Sequence, residues 1–310
     1  MKNYKKIILI ILVTFVLGIC CSCSGAQMKK DSASRSSNEK DQPSELQKLL
    51  GDIDKNYEAI DKIITEEKDK EKDQEKSKTV QGSQSGSKSE GGSSGQQQGQ
   101  EQGQEQGQEK GGKGKEDQKK ESEDKSKEEW KKIEDDVEKL HRDWNSFEPK
   151  AEEENISKDI ITSFEDQLNS LSSAVKDKKT KEALNSANGL QKEVSEFTRK
   201  FKEVVPAKLY DIKYQYQQSY IEALKDDWSK TEKQASETLK TWDDAKNDLE
   251  KEDKDLAMKM EFSLKDLENA ITTKDLNVVS IKVKIITENY RAFEKRYTDK
   301  AKEKEDKKNK

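Results

Sequence analysis

The chain has 310 residues, of which 40% are charged and only 29% hydrophobic, and acids nearly balance bases at a formal net charge of -5. At a mean hydropathy of -1.22, part of such a chain buries too little apolar surface to offset the entropy of ordering it. The balance of charge leaves no basic excess to neutralise phosphates, which argues against nucleic acid as a partner.

The N-terminus opens on a short basic stretch, Met1-Lys2-Asn3-Tyr4-Lys5-Lys6, followed by an apolar run from Ile7 to Ile19. The run is shorter than the roughly 20 residues that span a bilayer, and a basic start before a short apolar core is the pattern of a secretory signal. It ends in Cys20-Cys21-Ser22-Cys23-Ser24-Gly25. These residues resemble the lipobox of bacterial type II signal peptides, in which a small residue precedes the cysteine to be lipidated. Ser22 supplies that small residue, so Cys23 is preferred over Cys21 and Cys20. The resemblance implies export, cleavage after residue 22 and diacylglycerol on the Cys23 sulfur. It places the protein on the outer face of a bacterial membrane, held by two acyl chains where one would be marginal. All three cysteines lie in this segment, so no disulfide framework is expected in the mature chain.

Residues 23–43 read as a flexible leader. Leu46, Leu49, Ile53, Tyr57, Ile60 and Ile64 then recur every three or four residues, which predicts one amphipathic helix over 44–65. Ser44 and Gln47 stand in capping-box spacing at its start. Residues 66–125 are rich in Glu, Lys, Gln, Gly and Ser, and they read as a disordered low-complexity linker.

From Ser126, again in capping-box spacing with Glu129, three apolar stripes follow. The first runs from Trp130 through Val137 to Phe147, the second from Ile160 through Phe164 to Val175, the third from Ala183 through Leu190 to Phe201. The plan then recurs. Trp130 and Trp144 return as Trp228 and Trp242, 98 residues on, and the second and third stripes return 96 residues on, with Phe164 as Met260 and Phe197 as Phe293. The predicted fold is therefore all-α, a duplicated three-helix antiparallel bundle unit preceded by one short helix and a long disordered linker. Repeat 1 covers 126–203 and repeat 2 covers 204–301, with a charged tail over 302–310. In repeat 2, helical spacing from Leu209 to Leu224 runs on into Trp228, which predicts one long helix over about 207–249. Repeat 1 has only linker at the corresponding place.

Chemistry is sparse. His141 is the only histidine, with no nucleophile or second base beside it, and no Cys/His cluster suits zinc. Carboxylates are too common for any pair to be informative, and no phosphate loop or EF-hand occurs. No cofactor or metal is expected, and no enzyme activity. The third stripe of repeat 2 carries additional apolar residues, Val278, Ile281 and Ile285, where repeat 1 has Glu182, Asn185 and Gly189. With Tyr210 and Tyr214 they form a candidate partner surface; the competing reading is packing within the molecule. The expected function is a non-enzymatic cell-surface lipoprotein that displays a helical interaction module on a tether, for an unknown protein or envelope component. The alternatives are a structural or self-associating envelope spacer and, ranked lower, a transporter-associated binding lipoprotein.

Overall fold

The computed structural model describes residues 40–82 and 113–308. The signal segment, Cys23 and the leader up to residue 39 lie outside the described residues, as do 83–112 in the middle of the predicted linker. Among the described residues there are eight helices: α1 (Ser44–Gly82), α2 (Lys113–Glu153), α3 (Lys158–Lys176), α4 (Thr180–Thr198), α5 (Ala207–Leu224), α6 (Trp228–Glu252), α7 (Lys254–Ile271) and α8 (Leu276–Lys308). No strand occurs among them. An isolated bridge joins Asp41 to Lys202, whose N–H donates to the Lys40 carbonyl at 2.9 Å and ties the entry of α1 to the end of α4.

Helix α1 starts at Ser44 as its stripe predicts, and all six stripe residues from Leu46 to Ile64 are buried. The backbone stays helical beyond the stripe, to Gly82. On the far side α2 begins at Lys113, so Ser126 sits inside a helix and caps nothing. Its supposed partner Glu129 accepts instead from Lys62 of α1 at 2.8 Å. Together with Lys150–Glu45 at 2.7 Å and Lys55–Asp136 at 2.5 Å, this contact sets α1 antiparallel to α2. At the other end of the chain, α8 continues to Lys308, through most of the predicted tail.

The long helix predicted over 207–249 is two helices. Lys225-Asp226-Asp227 breaks it, because Asp226 adopts a left-handed conformation at φ 62° and Asp227 caps α6 by accepting from the Lys230 N–H at 3.1 Å. Short polar residues tolerate that conformation and serve as N-caps. The apolar spacing runs on through the break because α5 and α6 fold back and bury their stripes against each other.

This break changes the repeat unit. Helices α1, α2, α3 and α4 pack in a ring, each against the next and α4 against α1; α5, α6, α7 and α8 pack in a second ring of the same order. Each unit is thus a four-helix bundle rather than a three-helix one, and α1 fills the place in repeat 1 that sequence periodicity assigned to linker. The correspondence is visible residue by residue: Pro43, Leu46, Leu49, Ile53 and Tyr57 match Pro206, Leu209, Ile212, Tyr216 and Tyr220, all at a separation of 163.

Local details repeat as well. Ser157 caps α3 by accepting from the Ile160 N–H, and Asp253, 96 residues on, caps α7 by accepting from the Leu256 N–H. Lys178 and Lys274 occupy the same left-handed position in the α3–α4 and α7–α8 turns, with φ of 54° and 52°. Each bundle has an aromatic centre. In the first, Trp144 lies 4.4 Å from Phe164 and 5.8 Å from Phe197 between ring centroids; in the second, Trp242 lies 6.4 Å from Phe293. Such pairs contribute about 0.5–1.5 kcal/mol beyond their area.

Candidate functional site

The two bundles meet through α4 and α5, which run antiparallel. Lys181 donates to the Leu224 carbonyl at 2.8 Å, the Asn188 amide donates to Gln218 at 2.9 Å and to the Tyr214 carbonyl at 3.2 Å, and Arg199 pairs with Asp211 at 2.6 Å. By the repeat, the counterpart of this joint is α8 against α1. That joint is open. Arg291 pairs with Glu58 across it, but between them lies a cleft of about 430 Å³ walled by α1, α5 and α8. The physical reason is in the side chains. Asn188 and Gln218, which bond across the closed joint, correspond to Lys284 and Lys55; Lys284 lines the cleft, whereas Lys55 pairs with Asp136 of α2, so the direct bond has no counterpart.

The floor of the cleft is polar and buried. Lys213 of α5 is buried and donates to Asp54 of α1, which also accepts from Gln191 of α4. The same ammonium lies 4.8 Å from the centre of the Tyr290 ring. A buried ammonium needs such compensation, since an unpaired one would cost several kcal/mol. Burial raises the Asp61 and Glu294 carboxyls above the ordinary range and pushes the Tyr57 and Tyr290 hydroxyls well above theirs. No partner meets the hydroxyls of Tyr57 and Tyr290, Asp61 Oδ1 or Gln217 Oε1, although each of these atoms is buried.

A second feature lies on the outside of bundle 2. The exposed large hydrophobics among the described residues are Met258 (43% exposed), Phe262 (60%), Ile281 (57%) and Ile285 (40%), all on α7 and α8. Lys282 pairs with Asp266 at 2.7 Å and Asn289 donates to Ser263 at 3.1 Å. This antiparallel register brings Phe262 and Ile285 to the same level on neighbouring helices.

The sequence-predicted surface is thereby divided. Ile281 and Ile285 are exposed, whereas Val278 packs against the core and Tyr210 is buried. Tyr214 is half-buried at the α4–α5 joint, where its carbonyl accepts from Asn188. The tyrosines are covered because α5 is a central helix, touching α4, α6 and α8, rather than an extension of α6. Met258 and Phe262 went unread because they fall off the stripe that includes Met260 and Leu264; their being apolar and off-stripe was the available signal. The cleft had no sequence signal, since its acids are unremarkable in so charged a chain.

His141 is half-buried and its Nε2 lies 2.7 Å from Ser172 Oγ. Ser172 donates its own proton to the Leu168 carbonyl, so the imidazole Nε2–H donates to Ser172. Burial lowers the imidazole pKa and favours this neutral form. Among the described residues no group of three or more His, Cys, Asp or Glu is arranged to hold a metal ion, and no helix is long and apolar enough to cross a membrane. In comparisons with known proteins, no family model matches the chain, and no curated protein or solved structure matches it.

Proposed function

We propose that this protein is a non-enzymatic surface lipoprotein that presents a double helical bundle for docking, with α7 and α8 of the second bundle as the docking face. The observation that carries this reading is that the exposed large hydrophobics among the described residues, Met258, Phe262, Ile281 and Ile285, all lie on these two neighbouring helices, since large apolar side chains left in water together mark interaction surfaces. The basic start, short apolar run and Ser22-Cys23 pattern support an anchor on the outside of a bacterial membrane. The partner is a protein or another component of the envelope.

A photo-crosslinking residue placed at position 262 or 281 of the full chain on intact cells tests this. The expected result is a discrete adduct with another molecule, absent when the same residue replaces the exposed Asp159 of α3. An adduct only with a second copy of this chain would replace the reading with the self-associating spacer. No adduct from either position would reject both. Replacing Cys23 with Ala should abolish incorporation of a labelled fatty acid; retained labelling would refute the anchor at Cys23.

A further inference from the structure

The geometry points to the cleft between α1, α5 and α8 as a binding site for a small organic cation bearing primary ammonium groups. Its volume, about 430 Å³, lies within the range of small-molecule sites. It is also the open counterpart of a joint that the same repeat closes with direct side-chain bonds between α4 and α5. The open joint leaves buried polar atoms unmet by other protein groups, and in folded proteins such atoms are met by water or by a bound molecule.

The identity of those atoms selects the ligand. Asp61 Oδ1 and Gln217 Oε1 only accept hydrogen bonds when the carboxyl is ionised, and the Tyr57 and Tyr290 hydroxyls accept as well as donate. The occupant that satisfies them must therefore be rich in N–H donors. Charge selects the same way. Asp54 and Glu58 are already committed to Lys213 and Arg291. Asp61, which bonds the Tyr220 hydroxyl, lines the cleft with Glu288 and Glu294, against Lys284 alone of the remaining lining cations. An anion would meet this excess of carboxylate and find no unoccupied buried donor other than the tyrosines. An apolar ligand would leave the acceptors unmet. An ammonium entering the cleft would also hold Asp61 and Glu294 ionised, offsetting the cost of their burial.

Titration calorimetry of the full-length protein with spermidine, at physiological ionic strength, tests the assignment. Saturable binding at one site per chain is expected, with a rise in melting temperature as the ligand is added. Asp61→Asn and Glu294→Gln each remove one charge without changing shape, and each should weaken binding about ten-fold or more, the loss of a charge-assisted hydrogen bond. Asp159→Asn, on the exposed face of α3, should leave it unchanged. Absence of saturable binding would overturn the proposal. So would binding that all three variants weaken equally, which marks diffuse attraction to an acidic surface. If either cleft variant failed to fold, as judged by circular dichroism, Tyr57→Phe provides the second probe; unaltered binding in it and in the remaining cleft variant would also overturn the site.

Discussion

At the scale of single residues, the buried charges of the inter-bundle region divide into two kinds. Lys213 is compensated on two sides, by Asp54 and by the Tyr290 ring, and it ties α5 to α1. Asp61 and Glu294 are held above their ordinary pKa chiefly by burial. An acid whose folded pKa exceeds its unfolded value favours the folded state only when protonated. Its contribution is therefore unfavourable at neutral pH, and the penalty is relieved as pH falls through the folded pKa toward the unfolded one. Asp61→Asn should accordingly raise the melting temperature of the ligand-free protein at neutral pH. The advantage over the unsubstituted protein should shrink as the pH falls into the carboxylate range. A melting temperature unchanged at neutral pH, or an advantage that grows on acidification, would show that burial does not act on Asp61 in this way. The same substitution is expected to stabilise the fold and weaken the cleft as a site, the usual opposition between stability and function.

At the scale of elements, the short turns carry local strain. Lys178 and Lys274 hold left-handed conformations in which a side chain costs about 1–2 kcal/mol and glycine nothing. Their N–H groups donate to Val175 and Ile271 at 3.0 Å, closing the ends of α3 and α7. Lys178→Gly and Lys274→Gly should each stabilise by about 0.5–1 kcal/mol after the greater backbone entropy of glycine in the unfolded chain is counted. Urea denaturation measures this, and destabilisation by either would contradict the strain. The helices themselves were legible from spacing, because a stripe that must be hidden has the period of the helix whatever it packs against. Their ends were less so. Glu129 sits three residues after Ser126 as a cap would have it, yet it is spent on an ion pair with α1, and the break at Asp226 lies inside an uninterrupted apolar pattern.

For the whole molecule, α1 decides the architecture. It closes the first bundle through α2 and α4 and buries Leu46, Leu49, Ile53, Tyr57, Ile60 and Ile64, each contributing about 1.5–3 kcal/mol when fully removed from water. A chain cut at a protease site engineered within residues 83–112 should therefore keep its two parts together in gel filtration. Separation of an N-terminal fragment carrying α1 would mean that the first bundle does not need it. The same constancy of separation that revealed the tryptophan pairs also relates Pro43 and Tyr57 to Pro206 and Tyr220. It was obscured because 30 residues, 83–112, lie between α1 and α2, together with long helical ends, while α5 and α6 are joined by only Lys225, Asp226 and Asp227.

From its sequence alone this protein is determined to be helical and internally repeated, with a single histidine and its three cysteines confined to residues 20–23, because stripe period, paired tryptophans and residue types are local properties. Only the tertiary structure decided that the repeat has four helices, that α4 and α5 close one joint while α8 and α1 leave the other open, and which apolar residues stay in water. Those outcomes depend on which helices become neighbours and on whether equivalent side chains bond across the joint, as Asn188 does with Gln218, or turn to another helix, as Lys55 does to Asp136; that pairing of distant side chains is written in no single stretch of the chain.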